Sequence, residues 1–155
     1  LIPPPPTTTT SQSSAASYVY KRQILGRKNE LENKPEYITD TLQKGYDVEI
    51  DVWSIDKQFY LGHDKPQYKI ERSFLQNKKL WCHAKNIEAF YRMIDDKIHC
   101  FFHDKDKVAL TSRGYFWSSF EDEMTSKSIC VMPPSSRDLP KNIAGVCSDY
   151  IGHYK

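Results

Sequence analysis

The stretch YDVEIDVW (residues 46–53), followed by LGHD (61–64), carries most of the information in this sequence. Alternate side chains of a strand point to opposite faces, so its aliphatic residues can pack against helices while Glu49 and Asp51 share the other face. Two carboxylates close to His63 repel each other unless a positive charge neutralises them, and a divalent cation with oxygen ligands suits that role. The alternative is a half-buried strand with a solvated acidic face and an unrelated histidine.

The runs GYDVEIDVW (45–53) and FYLGHD (59–64) resemble the signature of the glycerophosphodiester phosphodiesterase family, which consists of His-Arg, Glu-x-Asp and His-Asp. Two of its three parts are present. The segment ELENKPEYI (30–38) is similar to the Glu-Asn segment before the first helix, which assigns Glu32 and Asn33 to those places. LWCHAK (80–85) stands where the family has a strand ending in Glu-x-Lys, and GVCSDY (145–150) is similar to its closing strand. The resemblance covers roughly residues 24–150 and is specific only in the first two runs.

The resemblance implies metal-dependent hydrolysis of a glycerophosphodiester or a similar small phosphodiester, and so a role in lipid metabolism. Glu49 and Asp51 would be metal ligands, and His83 would occupy the place of the family's third carboxylate. Magnesium or calcium is the expected cation, although an imidazole ligand moves the preference toward manganese or zinc. His63 would be the general acid, because an ordinary histidine pKa near 6.5 suits proton transfer at neutral pH. The residues expected to contact substrate are Glu32, Lys85, His103 and Asp149, and Lys85 would also assist catalysis by its charge.

Alternating strands and helices in the first half favour a parallel sheet with right-handed crossovers. One helix is predicted from Asn33 or Lys34 to Gly45, and a second, amphipathic helix follows the cap Asn86. Strands are predicted at 47–54, 58–61, 79–85, 98–103, 108–112, 114–119, 128–132 and 143–150, with a weak helix at 71–76. A full barrel of this type needs about 250 residues. We therefore expect residues 24–155 to form a shortened TIM-like α/β barrel with few helices, incomplete where its first strand is lost.

The first 23 residues are predicted to be disordered, because LIPPPPTTTTSQSSAAS (1–17) is a low-complexity run of Pro, Thr and Ser. The next run, YVYKRQ (18–23), is similar to the translation of a transposase adapter used in sequencing libraries. This indicates an assembly artefact, with a natural flexible tail as the alternative. The family's His-Arg pair would fall near residues 19–23, yet no histidine precedes His63. We therefore expect this chain to be inactive or severely impaired.

Composition excludes several other classes of protein. The 155 residues are 39% hydrophobic with a net charge of +2, and no basic run exceeds pairs such as Lys78-Lys79, so a nucleic-acid surface is not expected. No apolar stretch approaches the roughly 20 residues of a membrane span. The four cysteines lie singly in apolar runs without C-x-x-C spacing, which predicts buried free thiols and favours the cytoplasm. Two disulfides are the alternative, and the sequence does not indicate an oligomeric state.

Two further functions remain open at this point. A catalytically silent barrel that binds a phosphorylated ligand or a protein partner would suit the absent His-Arg pair and the histidine at position 83. A purely structural domain with a solvated acidic strand face is the weaker option. The histidines of the 98–103 strand divide between these roles, with His99 expected to be structural and His103 expected to lie in a pocket.

Overall fold

Seven neighbouring parallel strands form the centre of a ten-stranded sheet, in the order Cys100–Phe101, Leu80–Ala84, Asp47–Ile55, Ser17–Tyr20, Gly145–Ser148, Ser128–Val131 and Phe116–Ser119. The computed structural model describes residues 17–20, 31–134 and 138–154, which form a mixed α/β arrangement. The strands are β1 (Ser17–Tyr20), β2 (Asp47–Ile55), β3 (Gln58–Leu61), β4 (Tyr68–Ile70), β5 (Leu80–Ala84), β6 (Cys100–Phe101), β7 (Val108–Leu110), β8 (Phe116–Ser119), β9 (Ser128–Val131) and β10 (Gly145–Ser148). The helices are α1 (Pro35–Gln43) and α2 (Ile87–Asp95), with short 3₁₀ helices at Arg72–Gln76 and Ile151–Tyr154.

Two antiparallel additions complete the sheet. β3 and β4 extend one edge of β2 as a meander, and β7 pairs antiparallel with β8. The β2–β3 turn is made by Asp56 and Lys57, both with positive φ as a two-residue hairpin requires, which confirms the predicted turn. Within the described residues no ladder joins β6 to β7 or β8, so the strand pairing does not close into a ring.

β1 corrects the prediction for the beginning of the chain. Ser17–Tyr20 were predicted to be disordered, with a gap in the sheet at this place, but they form a strand that pairs in parallel with both β10 and β2. Val19 is fully buried there. Residues 1–16 and 21–23 lie outside the described residues. The prediction was wrong because the partner strands come from distant parts of the chain, which local composition does not reveal.

The two faces of the sheet are covered by separate clusters of buried residues. The first cluster packs the aliphatic residues of β2 and β5 against α1 and α2. The second lies on the opposite face and contains one buried residue from each of seven strands: Val19, Trp81, Phe101, Ala109, Trp117, Ile129 and Cys147. The four cysteines are free and buried, as predicted.

α2 forms where it was predicted, but of the apolar stripe that its periodicity predicts, only Phe90 packs against the core, while Ile87, Tyr91 and Ile94 are exposed. Ile87 and Tyr91 are 64% and 63% exposed, whereas Ala89 and Met93 are fully buried. Polar contacts fix this rotation, because the Arg92 guanidinium donates to Ser54 Oγ at 2.7 Å and lies 4.1 Å above the Phe59 ring. The Asn86 side chain accepts from the backbone N–H of Ala89, which confirms the predicted cap. α1 ends at Gln43, and Gly45 lies just beyond its cap as predicted, with a φ of 91° that favours glycine.

Candidate functional site

Asp51 is the centre of the site, on the face of β2 opposite the aliphatic residues. Both oxygens of its carboxylate lie close to nitrogen atoms of neighbouring side chains. Oδ2 lies 3.0 Å from His63 Nδ1 and accepts from Asn33 Nδ2 at 2.9 Å. Oδ1 lies 3.2 Å from His83 Nδ1 and 3.4 Å from the Lys85 ammonium. Four donors from three segments of the chain thus converge on a carboxylate that is only 5% exposed.

These contacts determine the charge of Asp51. Burial alone would raise the pKa of its carboxyl group, but hydrogen bonds from His63 and His83, the charge of Lys85 and the hydrogen bond from Asn33 lower the pKa far more. The result is a pKa well below the ordinary aspartate range. Asp51 is therefore ionised at neutral pH, as a cation ligand must be.

The parallel register between β2 and β5 brings the predicted ligands together. Glu49 is level with Trp81 and Asp51 is level with His83, so alternate residues of the two strands form one acidic and imidazole surface. His83 Nδ1 lies 3.8 Å from Glu49 Oε1. Two groups of potential ligands share Asp51, and in each the donor atoms lie within 4.8 Å of one another: Glu49, Asp51 and His83, and Glu32, Asp51 and His63.

Asn33 belongs to the site, although the sequence assigned it only to the Glu-Asn segment before the first helix and not to the site residues. Besides donating to Asp51 Oδ2, its side-chain oxygen accepts from the backbone N–H of Asp51 at 2.8 Å. Asn33 has a φ of 61° and is 7% exposed. The two hydrogen bonds hold both the strand and the carboxylate in place. The signal that could have identified it was its membership of the Glu-Asn segment.

Gly62 explains how His63 reaches the centre. Its φ is 151°, and a Cβ at this position would collide with the backbone carbonyl of Lys65. Its carbonyl also accepts a hydrogen bond of 2.6 Å from the Trp53 indole, and its N–H donates to the backbone carbonyl of Asp51. The chain is therefore pinned beside β2 at a point where only glycine fits, which directs His63 toward Asp51.

A stack of rings supports the imidazole of His83. The His83 ring lies parallel to that of Phe101, with centroids 5.0 Å apart, and to that of His103 at 4.7 Å. His83 Nε2 lies 3.4 Å from the backbone carbonyl of His103. His103 thus lies beside the centre, next to the residue expected to bind the cation.

Of the two remaining predicted residues, Glu32 belongs to the centre and Asp149 does not. Glu32 lies 3.8 Å from His63 and belongs to the second ligand group. Asp149 directly follows β10 and belongs to neither group. Its Oδ1 atom is buried without a hydrogen-bond partner among the described residues.

Two carboxylates and one imidazole within 4.8 Å suit a divalent cation, since each can offer a lone pair. Glu49, Asp51 and His83 would hold it. The Nδ1 atom of His83 would have to exchange its hydrogen bond with Asp51 for the cation, so binding competes with a proton.

No family model, no curated protein and no solved structure matches this chain. In the part of the chain that the structure describes, neither helix has the length and apolar character needed to cross a membrane.

Proposed function

We propose that this chain is a shortened member of the barrel phosphodiesterases, with a cation-dependent centre for small glycerophosphodiesters built around Asp51. The observation that carries the proposal is the convergence of both predicted ligand strands, His63 and Lys85 on that one carboxylate. Structural residues that merely stabilise a sheet have no need of three basic groups around a buried acid, since burying charges is costly.

The sheet order supports a barrel of this type. β1 lies between β2 and β10, so the first and last described strands are neighbours, as in a (β/α) barrel. A buried cluster drawn from strands at both ends of the sheet also requires the sheet to curve around it. His83, Lys85 and Asp149 lie at the carboxyl ends of their strands, which is the working face of such barrels.

Each residue of the centre has a role that follows from its contacts. A bound cation would polarise the phosphoryl group and offset the charge that builds on its oxygens. Lys85 adds a positive charge on the same side. Asp51 holds Nδ1 of His63, as the carboxylate of a catalytic triad holds its histidine, so that Nε2 is the atom able to protonate the departing alkoxide.

One proton-transfer group is missing from this arrangement. The family resemblance places a His-Arg pair at the end of the first strand, and β1 ends at Tyr20 with Lys21-Arg22 next in the chain. A lysine therefore follows the strand where a histidine is expected. We expect the chain as it stands to bind the cation and the phosphodiester but to turn over slowly.

The substitution Lys21→His tests this proposal. General acid–base groups contribute about 10²- to 10⁴-fold, so Lys21→His should raise cation-dependent hydrolysis of a glycerophosphodiester at least a hundredfold. Lys57→His, in the β2–β3 turn, is the matched control and should leave the rate unchanged. If Lys21→His shows no hydrolysis that depends on magnesium, calcium, manganese or zinc, the hydrolase proposal fails.

A second candidate function is a silent barrel that binds a phosphorylated ligand. The specific observations in its favour are Lys21 after β1 and His83 in place of a third carboxylate. Thermal stabilisation of the Lys21→His variant by a cation and a phosphodiester, without any hydrolysis, would favour this function over catalysis.

A further inference from the structure

Both ring nitrogens of His83 face oxygen atoms. Nδ1 lies 3.2 Å from Asp51 Oδ1 and 3.8 Å from Glu49 Oε1, and Nε2 lies 3.4 Å from the backbone carbonyl oxygen of His103. A neutral imidazole has one N–H and one lone pair, so it can donate to the oxygens on one side only. On the other side its lone pair meets an oxygen atom, which is unfavourable unless a positive charge lies between the two.

The carbonyl of His103 determines which nitrogen of His83 keeps its hydrogen when a cation is bound. A backbone carbonyl can only accept, so the N–H belongs at Nε2 and the lone pair at Nδ1. Histidines that bind metals commonly donate their second ring N–H to a carbonyl or carboxylate in this way, which fixes the tautomer and the orientation of the ring. The lone pair of Nδ1 then lies on the side of Asp51 and Glu49, the other two members of the ligand group.

The neighbouring rings hold the imidazole of His83 in this orientation. Its plane is within 1° of that of Phe101 and within 9° of that of His103. Phe101 is fully buried and stacks in turn on Trp117, with centroids 5.0 Å apart. A ligand that is already fixed loses little conformational freedom when it binds, so the stack favours the use of Nδ1 as a metal ligand.

The charge of the ligand group is low for a hard cation. Glu49 and Asp51 supply two negative charges, and the Lys85 ammonium, 3.4 Å from Asp51 Oδ1, offsets one of them. Calcium takes about six to eight oxygen ligands, and its affinity depends on the number of charged ligands, while magnesium also prefers oxygen. An imidazole nitrogen suits zinc instead. The histidine at position 83 therefore weakens the site for magnesium and calcium and strengthens it for zinc.

We infer that the centre takes zinc rather than magnesium or calcium, with Nδ1 of His83 as the ligand that decides the choice and the carbonyl of His103 as the group that orients it. The inference rests on the proposed function, whose cation it names. It departs from the family resemblance, which by itself implies a third carboxylate at this place and magnesium or calcium as the cation.

His83→Glu tests the inference without requiring turnover. Titration calorimetry on the full chain measures the affinities for zinc alone and for magnesium alone. His83→Glu should weaken zinc binding at least about tenfold because the imidazole is lost, and should strengthen magnesium binding by a similar factor because a third carboxylate is gained. Opposite shifts are the expected result, since a residue that only supports the fold would weaken both cations together. His153→Glu makes the same exchange at an exposed position outside the centre and should leave both affinities within twofold.

X-ray absorption at the zinc edge, measured on the unchanged chain, provides the test if His83→Glu does not fold. The spectrum should show an imidazole nitrogen and oxygen ligands at about 2.0–2.2 Å, without the sulfur ligand at about 2.3 Å that a cysteine would give. A spectrum that lacks imidazole or contains sulfur would assign the zinc to other residues and overturn the inference.

The outcomes separate two kinds of failure. If His83→Glu shifts both affinities in the same direction, or shifts neither, the choice of zinc is overturned while the cation-dependent centre stands. If zinc, magnesium, calcium and manganese all fail to bind the unchanged chain, the proposed function falls and the choice of zinc falls with it.

Discussion

The two faces of β2 and β5 carry side chains of opposite character on one shared backbone. On one face, Val48 and Ile50 are 2% and 1% exposed and pack against the helices. On the other, Glu49 and Asp51 meet the ring of His83 across the same pair of strands. Neighbouring residues of β2 thus alternate between the face that packs against the helices and the face that carries the proposed centre. Substitutions at adjacent positions should therefore have opposite effects, which makes the division testable.

The largest expected effect is on turnover from the acidic face. In the Lys21→His background, His63→Ala should lower the rate by a hundredfold or more, because it removes the group proposed to protonate the leaving alkoxide. His153→Ala changes an exposed histidine outside the centre and should leave the rate unchanged. An unchanged rate in His63→Ala, measured by phosphate ester hydrolysis, would dismiss His63 from catalysis.

Ile50→Ala should affect the other face alone. Truncating a fully buried isoleucine costs about 2–5 kcal/mol of unfolding free energy, from lost burial and the cavity left behind. The shift in melting temperature produced by a saturating cation should remain as in the unchanged protein. Denaturant unfolding with and without the cation measures both quantities. Loss of the cation shift in Ile50→Ala would show that the two faces are not independent.

Asp51→Asn should give the reverse pattern. A cation at a hundred times its dissociation constant stabilises the folded state by about 2.7 kcal/mol, and this stabilisation should vanish with the central carboxylate. Asp47→Asn, four residues earlier on β2, is the control. Asp47 accepts a hydrogen bond from the Trp81 indole, and an amide oxygen at this position can still accept it. If Asp51→Asn retained the cation shift, the ion would have to be held elsewhere.

His99 extends the comparison, because it lies on the face of the sheet that carries the proposed centre but contributes to stability. It is 3% exposed, its ring lies 4.3 Å from that of Trp81, and burial together with the charge of Arg113 lowers the pKa of its imidazole to about 4. The unfolded chain takes up a proton near pH 6.5 while the folded chain does not, so stability is present above pH 6.5 and is lost as pH falls toward 4. This effect alone should cost about 2 kcal/mol between pH 7 and pH 5.

His99→Phe should remove this part of the pH dependence, with His153→Phe as the exposed control. The measurement is the unfolding free energy from urea titrations at pH 5 and pH 7 in the absence of metal. An equal pH dependence in His99→Phe and the unchanged chain would mean that the pKa of His99 is the same in the folded and the unfolded chain.

Much of the centre could be predicted from the sequence because its determinants are local. The period-2 alternation of residues 47–54 predicts which side chains share a face, and β2 runs over Asp47–Ile55 with the predicted Glu49 and Asp51 on that face. The hairpin turn at Asp56-Lys57 predicts that β3 returns beside β2, which brings His63 to Asp51. Each of these steps depends on neighbours in the chain.

The features that could not be predicted depend on distant partners. β1 has only four residues and is defined by its pairing with Gly145 to Ser148 and with β2. The contact of His103 with His83 depends on how the chain turns after β6, which a strand pattern does not specify. The three-residue strand β4 was missed because it is defined by its pairing with β3. In each case tertiary pairing outweighs the local signal.

The rotation of α2 provides the smallest predicted effect. Periodicity predicts that Ile87 belongs to a packed apolar stripe, and truncation of a buried isoleucine would cost about 2–5 kcal/mol. In the structure Ile87 is 64% exposed, so Ile87→Ala should change the unfolding free energy by no more than about 0.5 kcal/mol. Met93→Ala, on the buried side of the same helix, is the control and should show the full loss. A loss of 2 kcal/mol or more in Ile87→Ala would mean that the stripe is covered in solution, because truncation of an exposed side chain leaves no cavity behind.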